Sequence, residues 1–403
     1  MIEFDQACDQ ILVHTRCLGS EDRLIEAAIG CVLAEDITSP MDVSPFRNSA
    51  MDGFAVRSEW LLDCSESQPL TMSIGSTTFA GDRTVTQPAM STVAKVMTGA
   101  MVPTECDAVV PFEDTDYDDH QVTFCRSIAA GSNVRQAGED IKLGQKLYSE
   151  GTAMGALDIG VLATIGKRTV STYRRPSILI LGTGDELLNP GDELVQGKIY
   201  DSNTFTIHAL VSPFCERIDR VCGVRDREKE LARALDSSHD IIVTTGGVSA
   251  GERDLVVDMA EAIGWKRVFH KVAIKPGKPV YFATRDSQLL FGLPGNPLST
   301  AVTCSVFLIL ALRKMIGFED YRLRLKPARL APEAIWKSGR KLIWPGFIRE
   351  EAGQMVATFS PKRSSAALTA LMGTDGLVFQ SATDENSEEV RVEIILWDHI
   401  LRI

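Results

Sequence analysis

Acidic residues recur where apolar runs give way to polar turns. Asp185 and Glu186 follow Ile178-Leu179-Ile180-Leu181, Asp226 follows the run 218–224, and Asp254 lies just past Asp240-Ile241-Ile242-Val243-Thr244-Thr245-Gly246-Gly247. If each run is a strand of one parallel sheet, its carboxyl end places these acids along a common edge, where open α/β sheets bind ligands. Converging carboxylates repel unless a cation sits between them, and Mg²⁺ is the usual oxygen-ligated partner. Asp185, Glu186, Asp226 and Asp254 are therefore candidate metal ligands. Acids at helix starts also have a simpler role, favourable interaction with the helix dipole.

Opposite in sign is the stretch 265–279, which carries Lys266, Arg267, Lys271, Lys275 and Lys278 and no acid, in a chain of net charge −12. Read as extended, Lys271 and Lys275 share a face, and Lys278 curls back past the Pro276-Gly277 turn. Ammonium groups gathered this way concentrate phosphate or another oxyanion. Two turns add backbone donors. Gly246-Gly247 presents N–H groups at a strand end. In Gly292-Leu293-Pro294-Gly295-Asn296-Pro297, Asn296 suits a helix N-cap and Pro297 the first helical position, leaving helix N–H groups for an anion. Asp52, in the Asn48-Ser49-Ala50-Met51-Asp52-Gly53 turn, and Thr98, before Gly99, are further candidate contacts. Neither a Ser-His-Asp nor a Cys-His arrangement is visible, so the chemistry read here is electrostatic rather than covalent.

The elements that must hold these groups follow from periodicity. From Ser177 onward, apolar runs at 178–181, 218–224, 240–245 and 289–292 alternate with helical segments at 201–211, 226–235, 253–263 and 297–315. Repeated βα units predict a doubly wound, mostly parallel sheet. The stretch 56–126 is β-rich, with Gly, Pro and Asp turns. Residues 4–34 read as helical, with Asp5 capping a first helix and Ser20 a second, and 151–165 as helical again. The expected layout is a helical/mixed domain in two parts, 1–44 and 133–172, interrupted by a β-rich insert at 45–132. An α/β domain at 173–320 opens on the linker Arg174-Arg175-Pro176, and a small β domain or barrel occupies 321–403.

Composition narrows the class. At 403 residues, two to four domains are expected. The negative balance argues against broad binding to nucleic acid or anionic membrane. Nine scattered cysteines without a CxxC pair suit reduced thiols, and six dispersed histidines give no zinc spacing. No signal pattern opens the chain, and 298–312 reads as a buried core helix rather than a membrane span. A cytoplasmic protein is expected.

The motifs Asn48-Ser49-Ala50-Met51-Asp52-Gly53, Met97-Thr98-Gly99-Ala100, Gly138-Glu139-Asp140-Ile141, Thr183-Gly184-Asp185-Glu186-Leu187, Thr245-Gly246-Gly247-Val248-Ser249, Ile274-Lys275-Pro276-Gly277-Lys278-Pro279 and Gly292-Leu293-Pro294-Gly295-Asn296-Pro297 occur in one order. Together they resemble the MoeA-type molybdopterin molybdenumtransferases, related to the gephyrin E domain, over nearly the full chain. The resemblance implies a multidomain α/β protein whose doubly wound domain is MogA/MoaB-like, and an elongated homodimer with a shared active site. It implies Mg²⁺-aided conversion of adenylylated molybdopterin and molybdate to molybdenum cofactor with release of AMP. Contacts with the adenylyltransferase and with molybdoenzyme-maturation proteins are implied as well. By position, Asp185, Glu186, Asp226 and Asp254 match the family's acidic site residues and Lys271 and Lys275 its basic ones. Pro294 and Pro297 match its proline turn, and Asp52, Thr98 and Asp140 its contributions from other domains. Ser249 falls in the glycine-turn motif. Ser365 falls in Ser364-Ser365-Ala366-Ala367-Leu368-Thr369, which follows the family's Gly/Ser-rich motif loosely. Arg47 and Gln136-Ala137 also depart from the common pattern. Two alternatives stand beside the transferase: a non-catalytic scaffold of the same fold, and the adenylyltransferase acting one step earlier.

Overall fold

The structure, a computed structural model, describes residues 1–89, 91–224, 228–247, 255–331, 338–381 and 391–401. The chain forms two compact units. The larger comprises Met1–Glu35, Glu150–Ile159 and Thr169–Ile403, and the smaller Asp36–Ser149 and Gly160–Arg168.

At the centre of the larger unit lies a six-stranded sheet. Its strands are β1 (Ser177–Thr183), β2 (Arg217–Val224), β3 (Ile241–Thr245), β4 (Lys266–His270), β5 (Tyr281–Arg285) and β6 (Gln288–Leu293), in the spatial order β2-β1-β3-β6-β5-β4. Strands β2, β1, β3 and β6 run parallel, while β5 and β4 complete the edge antiparallel. Both faces are covered, which explains why β1 and β3 read as unbroken apolar runs. Successive side chains alternate between two cores. Ile178 and Ile180 pack with Ile207 and Val211 of α1 (Asn203–Val211) and with Leu298 and Val302. Leu179 and Leu181 pack with Leu231 and Leu235 of α2 (Glu228–Leu235) and Val256 and Val257 of α3 (Leu255–Ala262). The sheet is doubly wound, as expected. Its last helix, α4 (Pro297–Met315), is long and apolar enough to cross a membrane, yet 89% of that stretch is buried inside the fold. It is a core helix.

Five strands form a small closed barrel after the sheet: β7 (Lys326–Leu330), β8 (Lys341–Glu351), β9 (Gln354–Phe359), β10 (Gly376–Gln380) and β11 (Arg391–Leu396). They follow the order β8-β9-β7-β11-β10, and β10 pairs back onto β8. The two-residue strand Ile274–Lys275 joins this barrel rather than the central sheet, pairing parallel with Lys341-Leu342. That pairing carries a lysine of the basic stretch to the barrel's edge.

The helical reading of 4–34 needs correction. Phe4–His14 is a helix that buries Phe4, Ala7, Cys8, Ile11 and Leu12. Its N-cap is Glu3 rather than Asp5, and the Glu3 N–H donates to Gln6 Oε1 at 3.3 Å. Ser20–Leu24 is instead a strand, paired antiparallel with Thr169–Tyr173. A partner so distant in sequence overrides the local helical signal of a short polar segment. All nine cysteines are free.

The smaller unit centres on another six-stranded sheet, ordered Ala108–Pro111, Gly53–Val56, Thr92–Val96, Leu70–Thr78, Gln121–Phe124, Thr115–Tyr117. Phe54, Val56, Met72, Val93, Val110, Val122 and Phe124 fill one side of it. The β-rich texture of 56–126 is thus realised.

Candidate active site

Register fixes where the strands of the central sheet stop. Gly182 of β1 lies opposite Thr245 of β3, and Thr245 opposite Leu293 of β6. The turns after all three strands therefore open at one level of the sheet's carboxyl edge. A cleft of about 910 Å³ lies there, and its walls include Thr183, Glu186, Thr245, Gly246, Gly247 and Pro294 through Pro297.

The first wall requires glycine. Gly246 has φ +89° and Gly247 φ +66°. A Cβ on Gly246 would stand 2.8 Å from the Thr183 carbonyl oxygen, and one on Gly247 2.8 Å from Val256 Cγ2. The turn is fastened to its neighbours by hydroxyls. Thr183 Oγ1 donates to the Thr245 carbonyl at 3.1 Å, and Thr245 Oγ1 to the Pro294 carbonyl at 3.2 Å. Thr300 Oγ1 donates to the same Pro294 carbonyl at 2.5 Å. Pro297 opens α4 as expected, and Asn296 takes the N-cap position. The Asn296 side chain does not cap, however; it donates to Ser365 Oγ at 3.0 Å.

The second wall is basic. Lys275, Lys278, Arg340 and Arg363 line the cleft, together with the hydroxyl residues Ser299 and Ser365. Arg340 is held by Nη1 donating to the Ile274 carbonyl at 3.0 Å, next to the strand pairing that places Lys275. Lys271 is absent from the lining. The stretch is not extended throughout: β4 ends at His270, Lys271 takes φ +73°, which ends the alternation, and its N–H donates to the Val280 carbonyl at 2.8 Å. Lys275 and Lys278, not Lys271 and Lys275, are the pair brought together.

The acids divide differently from the expectation. Glu186 faces the cleft; Asp185, exposed, does not line it, and its carbonyl accepts from Lys198 Nζ. Asp226, Ser249 and Asp254 lie outside the described residues. Asp201 also lines the cleft, almost wholly buried, but both its oxygens serve Thr204. Among the described residues no three His, Cys, Asp or Glu side chains form a metal-binding group. Mg²⁺, which takes one or two carboxylates and fills its octahedron with water and substrate phosphate, still fits a wall carrying Glu186.

Comparison with known proteins decides the family. Residues 2–166 match the family model of the MoeA N-terminal region (domain I and II), and residues 180–314 that of a probable molybdopterin binding domain. The chain is 36% identical over 328 residues to a molybdopterin molybdenumtransferase of Haemophilus influenzae, covering 80% of each. It is 32% identical over 351 residues to that of Staphylococcus epidermidis, covering 83% of each. The chain belongs to the molybdopterin molybdenumtransferase family. Its fold matches a solved molybdopterin biosynthesis MoeA protein from Pyrococcus horikosii at a TM-score of 0.84 and 28% identity, over 98% of this chain and 99% of that one.

Within this family member, Asp52, Thr98 and Asp140 belong to the smaller unit. The Asp52 carboxylate accepts the Thr98 N–H at 2.7 Å and the Thr98 hydroxyl at 2.8 Å, and these two bonds lower its pKa. Asp140 is exposed, with its N–H on the Val43 carbonyl at 3.1 Å.

Sequence reasoning passed over Arg340, Arg363, Ser299 and Asn203. Arg340 and Arg363 fall in a stretch whose only sequence signal was β texture. A further cluster was also unread: His239 contacts Ser237 Oγ and an Asp219 oxygen, each at 2.8 Å. It resembles a nucleophilic triad, but it sits where β2 and β3 begin, at the edge away from the cleft.

Proposed function

We propose that this chain transfers molybdate into adenylylated molybdopterin, releasing AMP and molybdenum cofactor, as a cytoplasmic homodimer. One observation carries the reading. A single cleft brings Lys275, Lys278, Arg340 and Arg363 against the Gly246-Gly247 and Pro294–Pro297 turns, in a chain whose net charge is −12.

The division of labour follows from donor type. The Gly246 N–H donates to the Leu293 carbonyl at 3.3 Å and the Leu298 N–H to the Ser365 carbonyl at 3.0 Å. The turn donors suited to phosphate oxygens are therefore those of Gly247, Gly295 and Asn296, fixed dipoles that need no reorganisation during reaction. The ammonium and guanidinium groups, with the Ser299 and Ser365 hydroxyls, suit a tetrahedral oxyanion such as molybdate. Holding both reactants in one cleft replaces an encounter in solution by a near-unimolecular step. Glu186 is the described carboxylate suited to hold Mg²⁺, with Asp226 and Asp254 expected beside it. When bound, Mg²⁺ would neutralise charge on the phosphate oxygens. Asp52, Thr98 and Asp140 remain proposed substrate contacts on the strength of the family motif.

The test is AMP release by purified protein supplied with adenylylated molybdopterin, molybdate and Mg²⁺. Lys275→Ala is expected to lower the rate by about 10²-fold, the scale of one lost charge-stabilising group. Molybdate binding measured by calorimetry should weaken in parallel. An unchanged rate removes the site assignment. Pterin binding without AMP release would favour a scaffold, and ATP-dependent adenylylation of molybdopterin the earlier enzyme.

A further inference from the structure

We infer that Asn203 is a positioning residue: its side-chain amide sets the separation of the two backbone turns that cradle the substrate, without acting on the substrate itself. The inference deepens the reading above and rests on it for the identity of the substrate. The geometry stands independently. Asn203 Nδ2 donates to Thr245 Oγ1 at 2.9 Å and to the Gly295 carbonyl at 2.7 Å. Thr245 immediately precedes Gly246, and Gly295 is the centre of the Pro294–Pro297 turn. One amide group therefore spends both its hydrogens on the two turns, one on each. Thr245 closes the triangle by donating to the Pro294 carbonyl at 3.2 Å.

Three details separate this from ordinary scaffolding. Asn203 is the first residue of α1, just inside the capping position, and its side chain caps nothing. Here the cap duty falls to Asp201, which accepts the Thr204 N–H at 3.0 Å. Asn203 Oδ1 is buried and has no hydrogen-bond partner. A buried acceptor left unmade disfavours the folded state. The amide cannot flip to relieve it, because the oxygen would then face the Gly295 carbonyl. Both amide donors thus end on the turns, while the acceptor beside them has no partner. Finally, Gly246 and Gly247 have no side chains with which to hold their own position; besides the Gly246 N–H donating to the Leu293 carbonyl at 3.3 Å, the ties come from neighbouring hydroxyls and the Asn203 amide. Preorganised donors work only when held within a fraction of an ångström, and a displacement of about 1 Å costs about 10²-fold in rate.

The test compares Asn203→Asp, which keeps the size and removes both donors, with Asn203→Ala and Thr245→Val. In each folded variant, kcat for AMP release should fall by about 10²-fold while KM for molybdate moves much less, because the basic wall is untouched. Asn203→Ala and Thr245→Val combined should cost less than the sum of the two single changes, since both break the Asn203–Thr245 bond. Independently of turnover, amide hydrogen exchange of the free protein should quicken at Gly246, Gly247, Gly295 and Asn296 and stay unchanged in the strands of the smaller unit. A folded Asn203→Asp protein with wild-type kcat, or with unchanged exchange at both turns, overturns the inference. If the wild-type protein releases no AMP, the transferase reading fails on its own, and the exchange result alone decides whether Asn203 positions the turns.

Discussion

Asn296 donates its side-chain amide to Ser365 Oγ at 3.0 Å, while the Leu298 N–H donates to the Ser365 carbonyl, also at 3.0 Å. One residue preceding the fourth barrel strand is thereby tied by side chain and backbone to the turn that starts the core helix. The tie brings the Ser365 hydroxyl into the cleft beside Lys275 and Arg340. Ser365→Ala removes only the side-chain bond, and the exposed Asn296 amide can turn to water instead. Unfolding stability should therefore change by less than about 1 kcal/mol. On the proposed reading, molybdate affinity should fall nonetheless, because the Ser365 hydroxyl is then lost as a donor to the oxyanion. Urea unfolding and calorimetry on the same preparation separate the two effects.

Gly277 stands between the two cleft lysines at φ +95°, and a Cβ there would lie 2.4 Å from Thr303 Cγ2. Thr303 cannot yield readily. It is fully buried in α4, with its hydroxyl donating to the Ser299 carbonyl at 2.7 Å. Gly277→Ala should destabilise the protein by about 1–3 kcal/mol through backbone strain and overpacking together. Adding Thr303→Ser removes the clashing methyl and keeps the hydroxyl, so the double variant should recover the packing part and not the backbone part. Full recovery, read as the midpoint of denaturant unfolding, would show that φ at Gly277 is unimportant.

What could be read before folding, and what could not, divides along one physical line. The β1 and β3 runs were legible because both sheet faces are buried, so Ile178 to Leu181 and Ile241 to Val243 need only be apolar. Turn chemistry was legible because glycine and proline act locally: Gly246, Gly247 and Pro297 all take the roles their residue types demand. The relation of Lys271 to Lys275 was not, since alternation holds only along an unbroken strand and Lys271 breaks it. Ser20–Leu24 was misread because its partner Thr169–Tyr173 lies far along the chain. Asn203 and Arg340 were invisible for the same reason. Each acts through groups that only the closed fold brings near.

In the smaller unit, the Asp52 carboxylate is held below its ordinary pKa first by the Thr98 N–H and then by the Thr98 hydroxyl. Both donors favour the charged form. Thr98→Val removes the hydroxyl and leaves the N–H, so the Asp52 pKa should rise part of the way back and not completely. Carboxylate carbon NMR through an acid titration reads this directly. Because the group is fully exposed, the change should leave the unfolding midpoint at neutral pH where it was. A pKa unmoved by Thr98→Val would mean that the hydroxyl contributes nothing to the charged form.

A forked ion pair of the larger unit lies away from the cleft, where the linker enters the central sheet. Asp240, at the start of β3, accepts Arg174 Nη1 at 3.0 Å and Nη2 at 2.8 Å, the Ser177 N–H at 2.8 Å and the Ser177 hydroxyl at 2.7 Å. Burial alone would raise this carboxyl, but the Arg174 fork and the two Ser177 donors outweigh it and hold the pKa at about 2, against an ordinary 3.8. A folded-state pKa below the unfolded one means that the charged carboxylate favours folding. Its contribution is complete above about pH 4 and is lost as pH falls toward about 2. Arg174 is 41% exposed, so solvent screening trims the effect to about 1–2 kcal/mol. Asp240→Asn should therefore destabilise the protein at neutral pH by about that amount, plus the cost of leaving Arg174 without its counter-charge. Between pH 4 and pH 2 the variant should lose less stability than the wild type, so the two urea-midpoint curves converge on acidification. Curves that stay parallel through that window would show that Asp240 is not the group whose protonation weakens the fold there.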